Sequence, residues 1–191
     1  MVSAAAPAHD LREGGRAVTV ARSRLTITPP RDWNRLDARP GPRTEVWTLD
    51  GAPLNAVTFF ADVAPGDPLI RERHRKRAPL PKFRSTLLLV ELPDLLAASW
   101  RARKGLADVA VTESRPDRFL GAPAVRFRYS FVDADALPRR GEGIAAIVAR
   151  RLYMITYEAP RLHYFDRSIA DFRALAASAT LSGQGTMVVN R

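Results

Sequence analysis

From Val125 to Phe131 the apolar residues Val125, Phe127, Tyr129 and Phe131 alternate without a break with Arg126, Arg128 and Ser130. Successive side chains of a strand point to opposite faces, so this segment predicts a strand with one buried and one wet face, as in an antiparallel sheet. Other segments must supply its neighbours. Leu152 to Tyr157 is apolar on both alternating sets and reads as a strand buried on both sides, preceded by the apolar run Ile144 to Val148. The Arg150-Arg151 link between them predicts a hairpin.

The first half supplies more strands. Ala17 to Val20 and Leu25 to Thr28 are short and rich in β-branched residues, and Pro29-Pro30 stops the second. Residues 31–43 hold four arginines, two prolines and a glycine around Trp33, which predicts a loop or a short irregular helix with Trp33 packed beneath it. Glu45 to Leu49 and Leu54 to Phe60 flank Asp50-Gly51-Ala52-Pro53, where the Asp-Gly step supplies the positive φ of a tight reversal. Residues 61–84 read as a long loop, and Ala107 to Thr112 as a short strand.

Two stretches change period. Leu92, Leu95, Leu96 and Trp100 recur at helical spacing, with Pro93 in the first turn and Gly105 near the end. Leu162, Phe165, Ile169, Phe172, Leu175 and Ala179 form a second apolar stripe, leaving Asp166, Arg167, Asp171 and Arg173 toward water. Strands without regular βαβ alternation, followed by helices, predict an α+β domain: an antiparallel β-sheet with helices packed on its faces. The organisation expected is a flexible segment over 1–15, one domain over 16–182 and a tail over 183–191. Trp47 and Trp100 are expected in the core.

Composition removes several classes of function. With no cysteine, disulfides, iron–sulfur clusters, zinc–thiolate sites and a cysteine nucleophile are all excluded. His9, His74 and His163 lack the spacing of a histidine metal site. No run approaches the length of a membrane span. Met1 to Ala8 has neither the basic nor the apolar region of a signal peptide and reads as a flexible Ala-rich terminus. The triplets Ala4-Ala5-Ala6 and Ala6-Pro7-Ala8 are of the kind a signal peptidase cuts, so an upstream export signal would place the protein in an exported compartment and its absence in the cytoplasm.

The segment Leu25-Thr26-Ile27-Thr28-Pro29-Pro30 followed by Trp33 resembles the opening of PsbP-like domains, where a strand runs into a Pro-x-x-Trp segment. A further set is similar to uncharacterised bacterial envelope proteins: Trp47-Thr48-Leu49-Asp50-Gly51 with Leu54-Asn55, then Leu152-Tyr153, Ile155, Tyr157 and Ala159-Pro160 with His163-Tyr164-Phe165. The resemblance spans residues 17–181. It implies an α/β/α sandwich around an antiparallel sheet and a role as an accessory or assembly factor, commonly in an exported compartment. The chain lacks the lipidated cysteine that many of the envelope proteins carry.

Candidate sites are few. Tyr157, His163, Tyr164 and Asp166, beside Glu158, gather at a strand-to-helix junction and are the ligand or partner candidates. The competing account makes the tyrosines packing residues. No catalytic residue stands out: Ser168 is five residues from His163, a poor helical spacing for a hydrogen bond, and there is no G-x-S-x-G elbow. Gly141-Glu142-Gly143 and Gly183-Gln184-Gly185 lack the rest of a phosphate loop and read as turns. Asp133 and Asp135 read as a solvated turn with too few oxygens for a hard cation. No cofactor and no metal are expected.

Formal net charge is +10. Half of it sits in residues 67–84, where Arg71, Arg73, Arg75, Lys76, Arg77, Lys82 and Arg84 face only Asp67 and Glu72. The function expected is a non-catalytic accessory or binding domain. The alternative is a basic domain that binds nucleic acid or anionic surfaces weakly through loop 67–84, although no Phe, Tyr or Trp interleaves the dense run Arg71 to Arg77 for base stacking.

Overall fold

The computed structural model describes residues 10–72, 79–106 and 108–183. Their order is β1 (Asp10–Arg12), β2 (Val18–Thr19), β3 (Leu25–Ile27), β4 (Trp33–Leu36), β5 (Thr44–Thr48), β6 (Ala56–Val63), α1 (Leu92–Lys104), β7 (Val109–Phe119), β8 (Ala122–Val132), β9 (Pro138–Val148), β10 (Arg151–Pro160), α2 (Tyr164–Ala177) and β11 (Thr180–Leu181). Eight strands form one antiparallel sheet in the order β1-β4-β5-β6-β10-β9-β8-β7, and β11-β3-β2 form a small second sheet. An α+β architecture with helices packed on an antiparallel sheet is what the periodicities predict.

Alternation along the strands builds two cores. In β6, Val57, Phe59 and Ala61 point into one, where Trp47, Tyr157 and the α2 residues Phe165, Phe172 and Leu175 meet the small sheet through Leu25, Ile27 and Leu181. The intervening Phe60 joins the other, formed by Leu92, Leu96 and Trp100 of α1 with Val125, Phe127 and Tyr129 of β8. Each helix therefore covers one face, and β6 and β10 are buried on both. At roughly 1.5–3 kcal/mol per fully buried large apolar side chain, these two layers supply the main stabilisation. Helix α1 begins with Pro93 in its first turn and ends at Gly105, whose φ of 64° is the left-handed stop. Gly51, with φ of 106°, makes the reversal between β5 and β6.

Several expectations change. Residues 31–43 include a strand, β4, because Trp33 is fully buried and its neighbours pair with both β1 and β5. Part of the segment expected to be flexible, Asp10 to Arg12, adds the edge strand β1. The strand expected over 107–112 runs on to Phe119, and its Pro116 is tolerated because β7 is a sheet edge. Residues 61–63 belong to β6, and the hairpin link after Val148 is Ala149-Arg150, both with positive φ.

The largest correction concerns Gly141-Glu142-Gly143, which is mid-strand in β9 rather than a turn. Gly141 pairs with Tyr129 and Gly143 with Phe127. A Cβ on either would fall 2.1 Å or 2.4 Å from the partner's aromatic ring, so the glycines are the space into which those rings lie. Among the described residues, no helix is long and apolar enough to cross a membrane.

Candidate functional site

The wet face of β8 carries Arg126, Arg128 and Ser130, as its alternation predicts, and the β8–β9 register sets Arg128 opposite Glu142. Helix α2 passes over this corner and extends Arg173 down to the sheet. Glu142, whose side chain is 1% exposed, thus receives three arginines. Arg173 donates from Nε to Oε1 (2.9 Å) and from Nη2 to Oε2 (2.7 Å), Arg126 from Nη1 to Oε1 (3.1 Å), and Arg128 from Nε to Oε2 (3.3 Å). The network extends outward: Arg126 pairs with Asp117 at 2.6 Å and Arg128 with Glu113 at 3.1 Å.

Burial by itself raises the Glu142 carboxyl, but the bond and charge of Arg173, with Arg128 and Arg126, outweigh it and hold the group below its ordinary value. Asp117 is lowered in the same way: desolvation opposes, and the bond from Arg126 prevails. Arg173 is raised in turn, first by its bond to Glu142. Glu142 and Asp117 are thus held as carboxylates. Arg173, expected to face water, is exposed and at the same time ties α2 to the sheet.

Beside the network opens a cavity of about 550 Å³ between α2 and strands β7, β8 and β9. Its charged lining is Arg128, Arg140, Arg161 and Arg173 against Glu113 and Asp166. Ser130 and Thr112 add hydroxyls, and Phe165 and Ile169 an apolar wall.

Of the junction residues expected to bind a ligand or partner, Asp166 reaches this cavity. Tyr157 is fully buried; its hydroxyl donates to the Tyr164 carbonyl at 2.9 Å, and its ring packs 5.5 Å from Phe165 and 5.6 Å from Phe172. Burial pushes its ionisation far up, so it stays a neutral phenol. His163 caps α2 with a φ of 68° and sits exposed, edge-on to the half-buried Tyr164. Tyr157 and Tyr164 are therefore joined by a structural bond, and His163 is not among the residues that line the cavity.

Arg71, Lys82 and Arg84 of the basic loop are exposed, and Lys82 pairs with Pro68 in an isolated bridge. Arg73, Arg75, Lys76 and Arg77 lie outside the described residues, as do His74 and Gly185. Asp133 accepts the backbone N–H groups of Asp135 and Leu137 and the Arg139 guanidinium, closing the β8–β9 turn. Among the described residues, no group of three or more His, Asp or Glu side chains could hold a metal ion.

Sequence reasoning did not pick out Arg128, Arg140, Arg161, Glu113 and Glu142 as a site. One signal was present: the repeated arginines on the wet face of 125–131 placed Arg126 and Arg128 side by side.

An eight-stranded antiparallel sheet with a helix on each face defines a PsbP-like α/β/α sandwich, and the chain has that fold. Among solved structures it is similar to cyanobacterial PsbP (CyanoP) from Synechocystis sp. PCC 6803, with a TM-score of 0.56 and 10% identity over 95% of this chain and 96% of that one. Two further structures align less well. One is PA94 from Pseudomonas aeruginosa, a protein of unknown function described as a putative regulator (TM-score 0.41, 13% identity, 77% of this chain and 91% of that one). The other is LpqN of Mycobacterium tuberculosis, described as involved in cell envelope biogenesis (0.38, 9%, 94% and 86%). No family model matches the sequence, and no curated protein does.

Proposed function

We propose that this chain is a non-catalytic accessory domain that acts by binding, with the cavity between α2 and strands β7 to β9 as its binding face for an anionic partner or ligand. The observation that carries this reading is the ion pairing of the carboxylates behind the cavity wall, Glu142 and Asp117, to arginines. Glu142 and Asp117 are held ionised by arginines, whereas a general acid or base working near neutrality needs a carboxyl shifted upward. The excess of arginine over acid in the lining supports attraction of an anion. The PsbP-like fold is compatible with an accessory role, and the resemblance of the Pro-x-x-Trp opening and the envelope-type motifs supports an exported location, which subcellular fractionation of the expressed protein tests.

The function is tested in two arms. A panel of ester, phosphate and peptide substrates shows no turnover above background, and an amide NMR titration with hexaglutamate shifts resonances of Arg140, Arg161 and Arg173 saturably. Turnover that disappears in His163→Ala or Asp166→Ala, or failure of both hexaglutamate and inorganic phosphate to move those resonances, overturns the reading.

A further inference from the structure

Four arginines reach one cavity from four different elements: Arg128 from β8, Arg140 from β9, Arg161 from the turn after β10 and Arg173 from α2. They are not equivalent. Arg128 and Arg173 are anchored by Glu142, yet their side chains remain 48% and 44% exposed. A guanidinium has five N–H donors in a fixed fork. Arg173 turns Nε and one Nη toward Glu142, so its remaining donors point away from that carboxylate. Arg140 and Arg161 are exposed and have no acidic partner among the described residues. Two arginines are thus pre-positioned by a buried carboxylate and two are uncommitted.

The charge count indicates the valence of the ligand. Four positive side chains against Glu113 and Asp166 leave the lining with an excess of two. Behind it Glu142 and Asp117 share Arg126, and Arg115 stands beside Glu113, so this ion-paired shell of two acids and two arginines adds no net charge. A dianion restores neutrality where a monoanion leaves one charge over. Shape points the same way: a carboxylate is planar, carries one charge and matches the plane of one guanidinium fork, as in the two-bond contact of Arg173 with Glu142. Donors arriving from four elements instead suit an oxyanion with three terminal oxygens directed in three dimensions. The hydroxyls of Ser130 and Thr112 can add hydrogen bonds, and Phe165 and Ile169 offer a wall for the rest of the molecule. A cavity of about 550 Å³ is within the range that holds a small organic ligand.

We propose that this cavity binds a phosphate monoester, with Arg140 and Arg161 as the ligand-gripping cations and the Glu142 network holding Arg128 and Arg173 ready beside them. The assignment rests on the reading of this cavity as a binding face and narrows it to a doubly charged tetrahedral headgroup. No bond is made or broken.

Calorimetric titration of the full chain at constant ionic strength, with inorganic phosphate and then phenyl phosphate, tests it. Both are expected to give saturable one-to-one isotherms, with phenyl phosphate the tighter because its ring reaches the Ile169 wall. Arg140→Gln/Arg161→Gln, two exposed positions outside the Glu142 network, should keep the circular dichroism and melting of the parent and weaken phosphate binding about ten-fold or more. Arg71→Gln/Arg84→Gln removes the same net charge elsewhere and should leave binding unchanged. Affinity for phosphate should fall between about pH 8 and about pH 5, as the ligand takes up its second proton, while that for sulfate should not. Non-saturable heats, or equal weakening by both double variants, overturn the proposal. Hexaglutamate separates the two levels: if it titrates the cavity residues and phosphate does not, the phosphate assignment fails and the binding face stands; if neither does, both fail. A soluble ester and a lipid headgroup share this chemistry. Co-sedimentation with phosphatidylcholine vesicles containing phosphatidic acid, lost in Arg140→Gln/Arg161→Gln, assigns the lipid source, and phosphate binding without co-sedimentation assigns the soluble one.

Discussion

Arg173, near the end of α2, closes a two-pronged hydrogen bond on Glu142 in the middle of β9, thirty-one residues earlier in the chain. Glu142 is buried and Arg173 half exposed, so the two sides of the pair differ in cost. Glu142→Ala removes the buried carboxylate that three guanidiniums share and is expected to destabilise by about 3 kcal/mol. Arg173→Ala leaves Arg126 and Arg128 on the carboxylate and should cost about 1 kcal/mol. Urea denaturation at neutral pH measures both, and the reverse order would contradict the network.

The same pair sets an acid dependence. Because Glu142 titrates below its ordinary value of 4.5 in the folded chain, its stabilising contribution is fully present above that value. It is lost as pH falls through the lower, folded value. The stability gap between the parent and Glu142→Gln should therefore be constant from about pH 7 to about pH 5 and close below about pH 4. A gap that persists at about pH 2 would show that Glu142 acts by packing alone.

Tyr129 and Phe127 lie over Gly141 and Gly143 as two ring-on-glycine pairs across neighbouring strands. Both rings are buried against α1, so a methyl group on Gly141 has to displace a tyrosine that cannot swing into solvent. Gly141→Ala should cost about 3 kcal/mol, at the upper end for overpacking. Gly141→Ala/Tyr129→Leu should cost less than the sum of its single substitutions, since the second change removes the obstacle. Thermal and urea unfolding of the four proteins give the cycle, and simple additivity would refute the contact.

Trp47 and Trp100 occupy opposite faces of the sheet, Trp47 tilted 4.7 Å from Phe59 and Trp100 5.9 Å from Phe60. Each change to Ala is expected to cost about 3–5 kcal/mol. The two belong to separate cores, so their effects should add within about 0.5 kcal/mol as long as the double variant folds. Parent-like melting in either variant would refute the core assignment.

The basic loop carries a separate expectation. If residues 67–84 engage DNA through about four phosphates, the log–log salt slope of binding is near −3.6, at roughly −0.9 per contact. Binding should be weak, indifferent to sequence and nearly gone at about 0.15 M salt. Fluorescence anisotropy with two unrelated duplexes measures it. Tight binding at physiological salt that is lost in Arg73→Ser/Arg75→Ser/Arg77→Ser would move the functional site to this loop.

Local periodicity carried most of the fold into view. The alternation over Val125 to Phe131, the doubly apolar stretch at Leu152 to Tyr157 and the helical stripes Leu92 to Trp100 and Leu162 to Ala179 are properties of neighbouring residues, and each element they predict is present, although Leu162, which is exposed, and Ala179 fall outside α2. What periodicity could not supply was partnership. Trp33 to Leu36 became a strand because β1 and β5 lie on either side of it, and Gly141-Glu142-Gly143 became a strand because two rings from β8 needed the space. The candidate site divides along the same line. Arg126 and Arg128 were legible as one wet face, but Arg140, Arg161 and Arg173 come from distant segments, and their meeting at one cavity follows from α2 crossing the corner of the sheet. Side-chain period is a local consequence of backbone geometry and is written in the sequence; the convergence of charges from four elements depends on how the layers pack, which only the tertiary structure decides.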